Sequence, residues 1–201
     1  MMVIVGLAGE SGTGKTTIAR HLVGRGAVHI DADRVGHELL DADAEVTAAV
    51  RALAGDGVFD AGGRIDRRRL GAAVFADPDL LLRYNAIIHP AIRRRCGELV
   101  EAARAGAAPM VVVDAALLLD SSMPFEFDLM IALRASHDTQ LSRLVARGDR
   151  TEAEARARLD RQRDIEKSFY KADAVVDTDM DLPEVLAEID RHVAPLLNDR
   201  T

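Results

Sequence analysis

The chain alternates between short, mostly apolar runs and longer segments in which apolar residues recur at helical spacing. Residues 3–8 and 110–115 are runs of the first kind, rich in β-branched residues, and residues 127–133 form a third. Residues 27–31 and 172–178 complete the set of predicted strands. Apolar strands separated by helices are typical of a parallel sheet covered on both faces, so the pattern predicts an α/β fold.

The segments between the predicted strands have the 3.6-residue period of helices. Helices are predicted over residues 15–24, 32–53, 67–75 and 78–105, from about residue 137, and after an Asp181–Glu184 capping pattern near the end. The pair His89–Pro90 is typical of a helix start with proline at the first position. Residues 32–108 are therefore predicted to be mostly helical, with an interruption at the turn-rich residues 55–66.

Composition restricts the possible partners of the chain. Its 201 residues allow one substantial core, and the formal net charge of −7 opposes nonspecific binding to nucleic acid or to an anionic membrane. The single cysteine, Cys96, excludes an intramolecular disulfide and suits a reducing compartment. The longest apolar stretch is interrupted by Asp114 and is too short to span a membrane, and the first residues lack an export pattern. We therefore expect a cytoplasmic protein.

The first candidate site is the segment Gly9-x-x-x-x-Gly14-Lys15-Thr16, between the first predicted strand and the first helix. It matches the phosphate-binding loop pattern in its required setting; the alternative is a glycine-rich turn that only joins the two elements. Glycines let successive N–H groups point at phosphate oxygens, while Lys15 can reach the terminal phosphates and Thr16 can ligate Mg²⁺. Glu10 must point outward for the loop to accept an anion. The residues predicted to bind ATP are Gly12, Thr13, Gly14, Lys15, Thr16 and Thr17.

A phosphate-binding loop alone fits both regulatory GTPases and phosphoryl-transfer enzymes. A GTPase needs an Asp-x-x-Gly switch and an Asn-Lys guanine-binding motif, but Asp114 is followed by Ala-Ala-Leu and the chain contains no Asn-Lys pair. The sequence therefore favours a phosphoryl-transfer enzyme, which needs carboxylates near the phosphates. Asp31 and Asp33 would share a face of an extended segment and could accept a proton or hold Mg²⁺ through water, or cap a helix. Asp114 is predicted to orient Mg²⁺, with a solvated or capping carboxylate as the alternative.

Phosphoryl transfer also needs arginines that neutralise the charge developing on the transferred group. Arg143 and Arg147 lie one helical turn apart, within the charge-dense residues 140–167. On a closing lid both could reach over ATP, whereas most other charges of this segment are expected at the surface, where Glu152 with Arg156 and Glu154 with Arg158 form i, i+4 pairs on a solvated helix.

The inserted helical region contains the candidates for binding the second substrate. In each of its basic triplets, residues 67–69 and 93–95, at most one or two arginines can face a ligand. His89 is either a substrate contact or a capping or packing residue. We expect His89 and Arg93 to bind the substrate.

Several segments resemble the dephospho-coenzyme A kinase family and occur in order along nearly the whole chain. They are "GTGKTT" at 12–17, "HIDADRVGHELL" at 29–40, "DRRRLGAAVFADPDLLLRYNAIIHPAIRRR" at 66–95, "QLSRLVARGDRTEAEARARLDRQ" at 140–162 and "EKSFYKADAVVD" at 166–177. The "IDAD" and "VFADP…HP.I" patterns are the family-specific part of this resemblance.

The resemblance implies transfer of the γ-phosphoryl group of ATP, with Mg²⁺, to the ribose 3′-hydroxyl of dephospho-coenzyme A. It implies a phosphate-loop NTPase-type core at 1–31 and 109–201, a helical lid within about 137–167, and an inserted helical substrate-binding lobe at 32–108. It also implies that Asp33, the second acid of "DAD", accepts the proton of the substrate hydroxyl.

The chain departs from the family pattern at three places. The usual "PLLFE" is "ALLLD" at 116–120, the usual "IDN" is "VDT" at 176–178, and Glu10-Ser11 replaces the more usual Gly-Ile. Two alternatives stay open: a nucleoside or nucleoside-monophosphate kinase, and a nucleotide-dependent switch or catalytically inactive binding protein. In each case we expect a monomer or small homo-oligomer that binds neither nucleic acid nor membrane.

Overall fold

The computed structural model describes residues 2–115, 118, 122–148, 151–160, 162 and 164–198. Within these residues, five strands and eight α-helices follow one another along the chain. Their bounds are β1 Val3–Ala8, α1 Lys15–Val23, β2 Ala27–Asp31, α2 Ala32–Ala42, α3 Ala44–Ala54, α4 Arg67–Ala76, α5 Pro78–Ala105, β3 Met110–Asp114, β4 Leu129–Arg134, α6 His137–Ala146, α7 Glu152–Asp160, β5 Ala174–Asp177 and α8 Leu182–Asn198. Short 3₁₀ helices lie at Asp56–Val58 and Ile165–Lys171.

The five strands form one sheet in the order β2-β3-β1-β4-β5, and all four neighbouring pairs are parallel. Asp114 of β3 is in register with Leu7 of β1 on one side and with Asp31 of β2 on the other. The carboxyl ends of these strands therefore lie at the same edge, where parallel sheets hold their ligands. The predicted α/β fold with a parallel sheet is confirmed.

The two faces of the sheet are covered by different helical segments. Alternate residues of a strand point to opposite faces, and in β4 the side chains of Ile131 and Leu133 pack into the main core while Ala132 packs on the other side. The main core combines β1 with α1 and α8, whose buried residues include Ile18 and Ile189. On the opposite face, the 3₁₀ segment Ile165–Lys171 packs against Ala132.

The chain divides into two compact units, residues 1–31 with 100–201 and residues 32–99. The first unit contains the sheet and the phosphate-loop segment. The second contains α2, α3, α4 and most of α5. The predicted boundary of the inserted lobe, 32–108, and its role in substrate binding stay predictions.

Three local expectations need correction or refinement. Asp31 ends β2, but Asp33 already lies in the first turn of α2, so the two carboxylates do not share a face of an extended segment. Pro90 lies inside α5 and does not start a helix, because the helix runs continuously from Pro78 to Ala105. The predicted stretch 32–53 is two helices, separated where Asp43 caps α3 by accepting a hydrogen bond from the amide of Val46.

Candidate active site

The segment between β1 and α1 has the backbone conformation of a phosphate-binding loop. Gly9, Gly12 and Gly14 have φ values of 142°, 84° and 91°, which side-chain-bearing residues rarely adopt. A Cβ on Gly12 would lie 2.7 Å from the main-chain oxygen of Gln140, so this position also requires glycine for close packing against α6. A Cβ on Gly14 would meet no atom of a described residue within 4 Å, which leaves space on that side of the loop.

The N-terminus of α1 supplies hydrogen-bond donors to this loop. Gly14 occupies the N-cap position and no described side chain caps the helix, so none of these side chains competes with an anion for the N–H groups at its N-terminus. The ammonium group of Lys15 donates to the main-chain oxygens of Gly9, at 2.7 Å, and Glu10, at 3.0 Å. These two bonds fix the positively charged ammonium group beside the first residues of the loop. Thr16 follows in the first helical turn and is exposed.

The main-chain oxygens of Gly12 and Thr13, called here the carbonyl side of the loop, contact α6 and the residue that follows β5. Arg143 donates from Nη1 to the oxygen of Gly12, at 3.2 Å, and to the hydroxyl of Thr178, at 3.1 Å. Its Nη2 donates to the main-chain oxygen of Thr178, at 2.6 Å. The Thr178 hydroxyl lies 3.0 Å from the oxygen of Thr13. The predicted role of Arg143 toward the transferred phosphoryl group stays a prediction.

The first half of the loop contacts the segment that follows α6. Arg158 of α7 donates from Nε to the hydroxyl of Ser11, at 2.6 Å, and the amide of Ser11 donates to Oε1 of Gln162, at 2.8 Å. Leu141 of α6 packs in turn with Leu159 of α7 in a small apolar cluster. The predicted lid segment is therefore in direct contact with the loop.

Glu10 is buried, with 8% of its surface exposed. Burial raises the pKa of its carboxyl group, opposed by a hydrogen bond with the side chain of Gln140, while the nearby charge of Glu166 acts in the same direction as burial. A raised pKa favours the neutral form and so weakens repulsion of an anion. The side chain lines a cavity of about 620 Å³, with Arg134, Ala135, Ser136, His137, Gln140, Leu159, Glu166, Asp177 and Asp179.

Asp114, at the carboxyl end of β3, is 5% exposed, and its carboxylate is held by a histidine. Nε2 of His29, on the neighbouring strand β2, lies 2.8 Å from Oδ2 of Asp114. The other carboxylate oxygen, Oδ1, makes no hydrogen bond to a described residue. Because β1 and β3 are in register at Leu7 and Asp114, this carboxylate lies at the sheet edge from which the phosphate loop begins.

Of the remaining predicted residues, three lie in the second unit and one, Arg147, lies in the first. Asp33 is exposed in the first turn of α2. His89 and Arg93 are one turn apart on α5, and the pKa of His89 is lowered, first by partial burial of the ring and then by the charge of Arg93. Arg147, in the first unit, is the exposed C-cap of α6.

Sequence reasoning missed three parts of this site: the partner role of His29, the Thr178 contacts and the contacts of Ser11. His29 and Thr178 stand in quoted motifs, but their partners are 85 and 165 residues away along the chain. The motif "ALLLD" at 116–120 lies outside the described residues except for Leu118. In the described part of the chain, no helix is both long enough and apolar enough to cross a bilayer.

Comparison with known proteins gives a consistent result. A family model described as dephospho-CoA kinase matches residues 3–184. Relatives named dephospho-CoA kinase include one from Streptomyces avermitilis, 43% identical over 92% of this chain and 89% of its own length, and one from Thermobifida fusca, 37% identical over 94% of each. The solved structure of dephospho-CoA kinase from Campylobacter jejuni shares the fold over all of both chains, with a TM-score of 0.71 at 22% identity. Because the family model matches well over half of this chain, the chain belongs to the dephospho-CoA kinase family.

Proposed function

We propose that this kinase transfers the γ-phosphoryl group of ATP to the ribose 3′-hydroxyl of dephospho-CoA, the final step of coenzyme A biosynthesis, in the cytoplasm. The observation that carries the proposal is the loop from Gly9 to Thr16 in a chain of this family, with the Lys15 ammonium group and a helix N-terminus that no described side chain caps. Such a loop binds the phosphates of a nucleotide through main-chain N–H groups and the positive end of a helix.

The residues of the loop have distinct roles in this proposal. The N–H groups from Gly12 to Thr17 bind the phosphates, and Lys15 neutralises charge on the terminal phosphates. Arg143 and Arg147 stabilise the charge that develops during transfer. A preorganised set of donors of this kind lowers the barrier because it needs no rearrangement at the moment of reaction.

The acceptor side depends on residues of the second unit. Asp33 accepts the proton of the attacking hydroxyl, and His89 and Arg93 bind the substrate. The lowered pKa of His89 keeps its imidazole neutral at neutral pH, so it can donate one hydrogen bond and accept another. Arg93 supplies a positive charge to the negatively charged acceptor.

Magnesium fits the donors that the chain offers. Mg²⁺ prefers oxygen ligands and is usually bound through one or two carboxylates together with substrate phosphates. Thr16 provides an exposed hydroxyl and Asp114 a carboxylate whose Oδ1 makes no hydrogen bond to a described residue. Among the residues that the structure describes, no cluster of three or more His, Cys, Asp or Glu side chains is placed to hold a metal by itself. Bound there, Mg²⁺ would neutralise charge on the phosphate oxygens, with Thr16 and Asp114 as its protein contacts.

An acceptor panel tests the proposal. Purified protein is incubated with Mg²⁺ and ATP and with dephospho-CoA, nucleosides or nucleoside monophosphates, and ADP release is measured. The proposal requires ADP release with dephospho-CoA and a product whose mass has increased by one phosphate. Release with nucleosides or nucleoside monophosphates only would assign the chain to that other class of kinase. Nucleotide binding without turnover on any acceptor would make it a binding or switch protein.

A further inference from the structure

We propose that Thr178, just after β5, is a positioning residue for the nucleotide: together with Arg143 it holds the carbonyl side of the phosphate loop and thereby aims the amide of Gly14 at the phosphates. The inference rests on the proposed nucleotide binding by this loop and adds a residue that does not touch the nucleotide. Thr178 stands where the family pattern noted above has asparagine.

The hydroxyl of Thr178 has hydrogen-bond partners for both its oxygen and its proton. It is buried, with 3% of the residue exposed, and it accepts a hydrogen bond from Nη1 of Arg143 at 3.1 Å. Its single proton has two acceptors within reach, the main-chain oxygens of Thr13 at 3.0 Å and of Arg134 at 3.1 Å. The oxygen of Arg134 already accepts the amide of Thr178 at 2.8 Å, so we assign the proton to the oxygen of Thr13, which is the nearer of the two to the hydroxyl.

The bond to Thr13 has a consequence on the opposite side of the same peptide group. A trans peptide is planar, and its C=O and N–H groups point in opposite directions. The oxygen of Thr13 and the amide of Gly14 belong to one such peptide, and the described chain contains no cis bond. Holding this oxygen toward the end of β5 therefore directs the Gly14 N–H away from β5.

The neighbouring peptide, between Gly12 and Thr13, is also held by its carbonyl oxygen. Arg143 binds the oxygen of Gly12, and the amide of that peptide, on Thr13, makes a long bond of 3.4 Å to the oxygen of Glu10. Gly14 has no side chain and a φ of 91°, a conformation that glycine adopts without steric cost. The direction of the Gly14 N–H therefore depends on what binds the carbonyl oxygen of Thr13. Loss of the Thr178 hydroxyl should for this reason affect nucleotide binding more than loss of a hydrogen bond remote from the loop.

The experiment compares three variants with the wild type. Thr178→Val removes the hydroxyl and keeps the shape, Thr178→Ser restores the hydroxyl, and Thr47→Val makes the same change on α3 as a matched control. The dissociation constant for Mg-ADP is measured by calorimetry. Thr178→Val should weaken binding about tenfold, roughly the effect of one hydrogen bond on an equilibrium. Thr178→Ser and Thr47→Val should stay within twofold of the wild type.

Two further readouts separate positioning from a structural role. The KM for ATP should rise in Thr178→Val while the KM for dephospho-CoA stays unchanged. In labelled protein, the Gly14 amide proton should move downfield on binding Mg-ADP in the wild type and in Thr178→Ser, and by less in Thr178→Val. Wild-type affinity and a wild-type Gly14 shift in Thr178→Val would overturn the inference.

The outcomes distinguish this inference from the proposed function. A wild-type protein that does not bind Mg-ADP refutes both, whereas equal binding by the wild type and Thr178→Val refutes only the inference. Circular dichroism verifies folding of each variant, and Thr178→Ala is prepared in parallel. If both hydroxyl-free variants fail to fold, the hydroxyl is required by the core and the positioning role is contradicted.

Discussion

Nε2 of His29 lies 2.8 Å from Oδ2 of Asp114, across the pairing of β2 with β3. The histidine fixes one oxygen of a buried carboxylate whose proposed role is to orient Mg²⁺. Residues that hold a metal ligand in place commonly change metal affinity or activity by 10- to 100-fold when they are replaced. The pair therefore allows a test of the metal site through a residue that is not itself a proposed ligand.

We expect His29→Ala to raise the Mg²⁺ concentration needed for half-maximal activity by about tenfold or more. The carboxylate of Asp114 would lose the donor that sets its orientation. His29→Gln, which retains a donor at a similar reach, should restore part of the wild-type Mg²⁺ dependence. The measurement is initial rate against Mg²⁺ concentration at saturating ATP.

His21 is a matched control for this change. Its Nε2 lies 2.8 Å from Oδ1 of Asp190, so it forms the same kind of pair between α1 and α8. His21→Ala should leave the Mg²⁺ dependence unchanged. An equal shift in both variants, or in neither, would contradict the assignment of Asp114 to the metal.

Replacing Lys15 tests the phosphate loop directly. Lys15→Ala removes the ammonium group that lies across the oxygens of Gly9 and Glu10. We expect the affinity for Mg-ATP to fall and kcat to decrease by about 100-fold or more, the effect of losing one preorganised donor in a transition state. Calorimetry and initial rates measure the two quantities separately.

The control for Lys15 is Lys167→Ala. Nζ of Lys167 lies 2.6 Å from Asp164, and both side chains are largely exposed. Exposed pairs of this kind contribute little to stability, so we expect normal kinetics. Normal kinetics in Lys15→Ala as well would count against the loop as the nucleotide site.

Replacing Asp33 tests the assignment of the proton acceptor. Asp33→Asn keeps the size of the side chain but cannot accept the hydroxyl proton, so turnover should fall by about 100-fold or more. The dissociation constant for ATP should stay within twofold of the wild type. Asp41→Asn, also exposed on α2, is the control and should behave as the wild type. Unchanged turnover in Asp33→Asn would show that another group accepts the proton.

The sequence predicted the elements of the core well because each has a strong local signal. The strands at β1 and β3 are β-branched runs, and the glycine spacing of the loop is specific to phosphate binding. At Pro90 the local sequence predicted a helix start, because proline is typical of that position. The 28-residue helix α5 instead continues through it. Contacts elsewhere in the fold override such a local preference.

The pairings within the site were not predictable for a topological reason. His29 meets Asp114 because β2 lies beside β3, although four α-helices separate the two strands along the chain and β1 is closer to β2 in sequence. Thr178 meets Thr13 because β5 ends near the loop, a separation of 165 residues. Neither strand order nor register can be read from hydrophobic periodicity, which is the same for every buried parallel strand.

Burial of Glu10 should make the stability of the folded protein depend on pH. Its ordinary pKa is 4.5, and burial raises the value in the folded protein. The folded state therefore holds the proton more tightly than the unfolded state, so this residue favours folding at low pH and the contribution is lost as the pH rises through the raised pKa.

Glu10→Gln should therefore raise the melting temperature at pH 8, by about 2–4 °C. Glutamine is neutral at every pH, so the difference from the wild type should shrink as the pH falls toward 5 and Glu10 itself becomes neutral. Thermal unfolding followed by circular dichroism at several pH values measures it. Glu126→Gln, at an exposed position, should give no pH-dependent difference. A Glu10→Gln difference that stays constant with pH would mean that the carboxyl does not titrate differently in the folded protein.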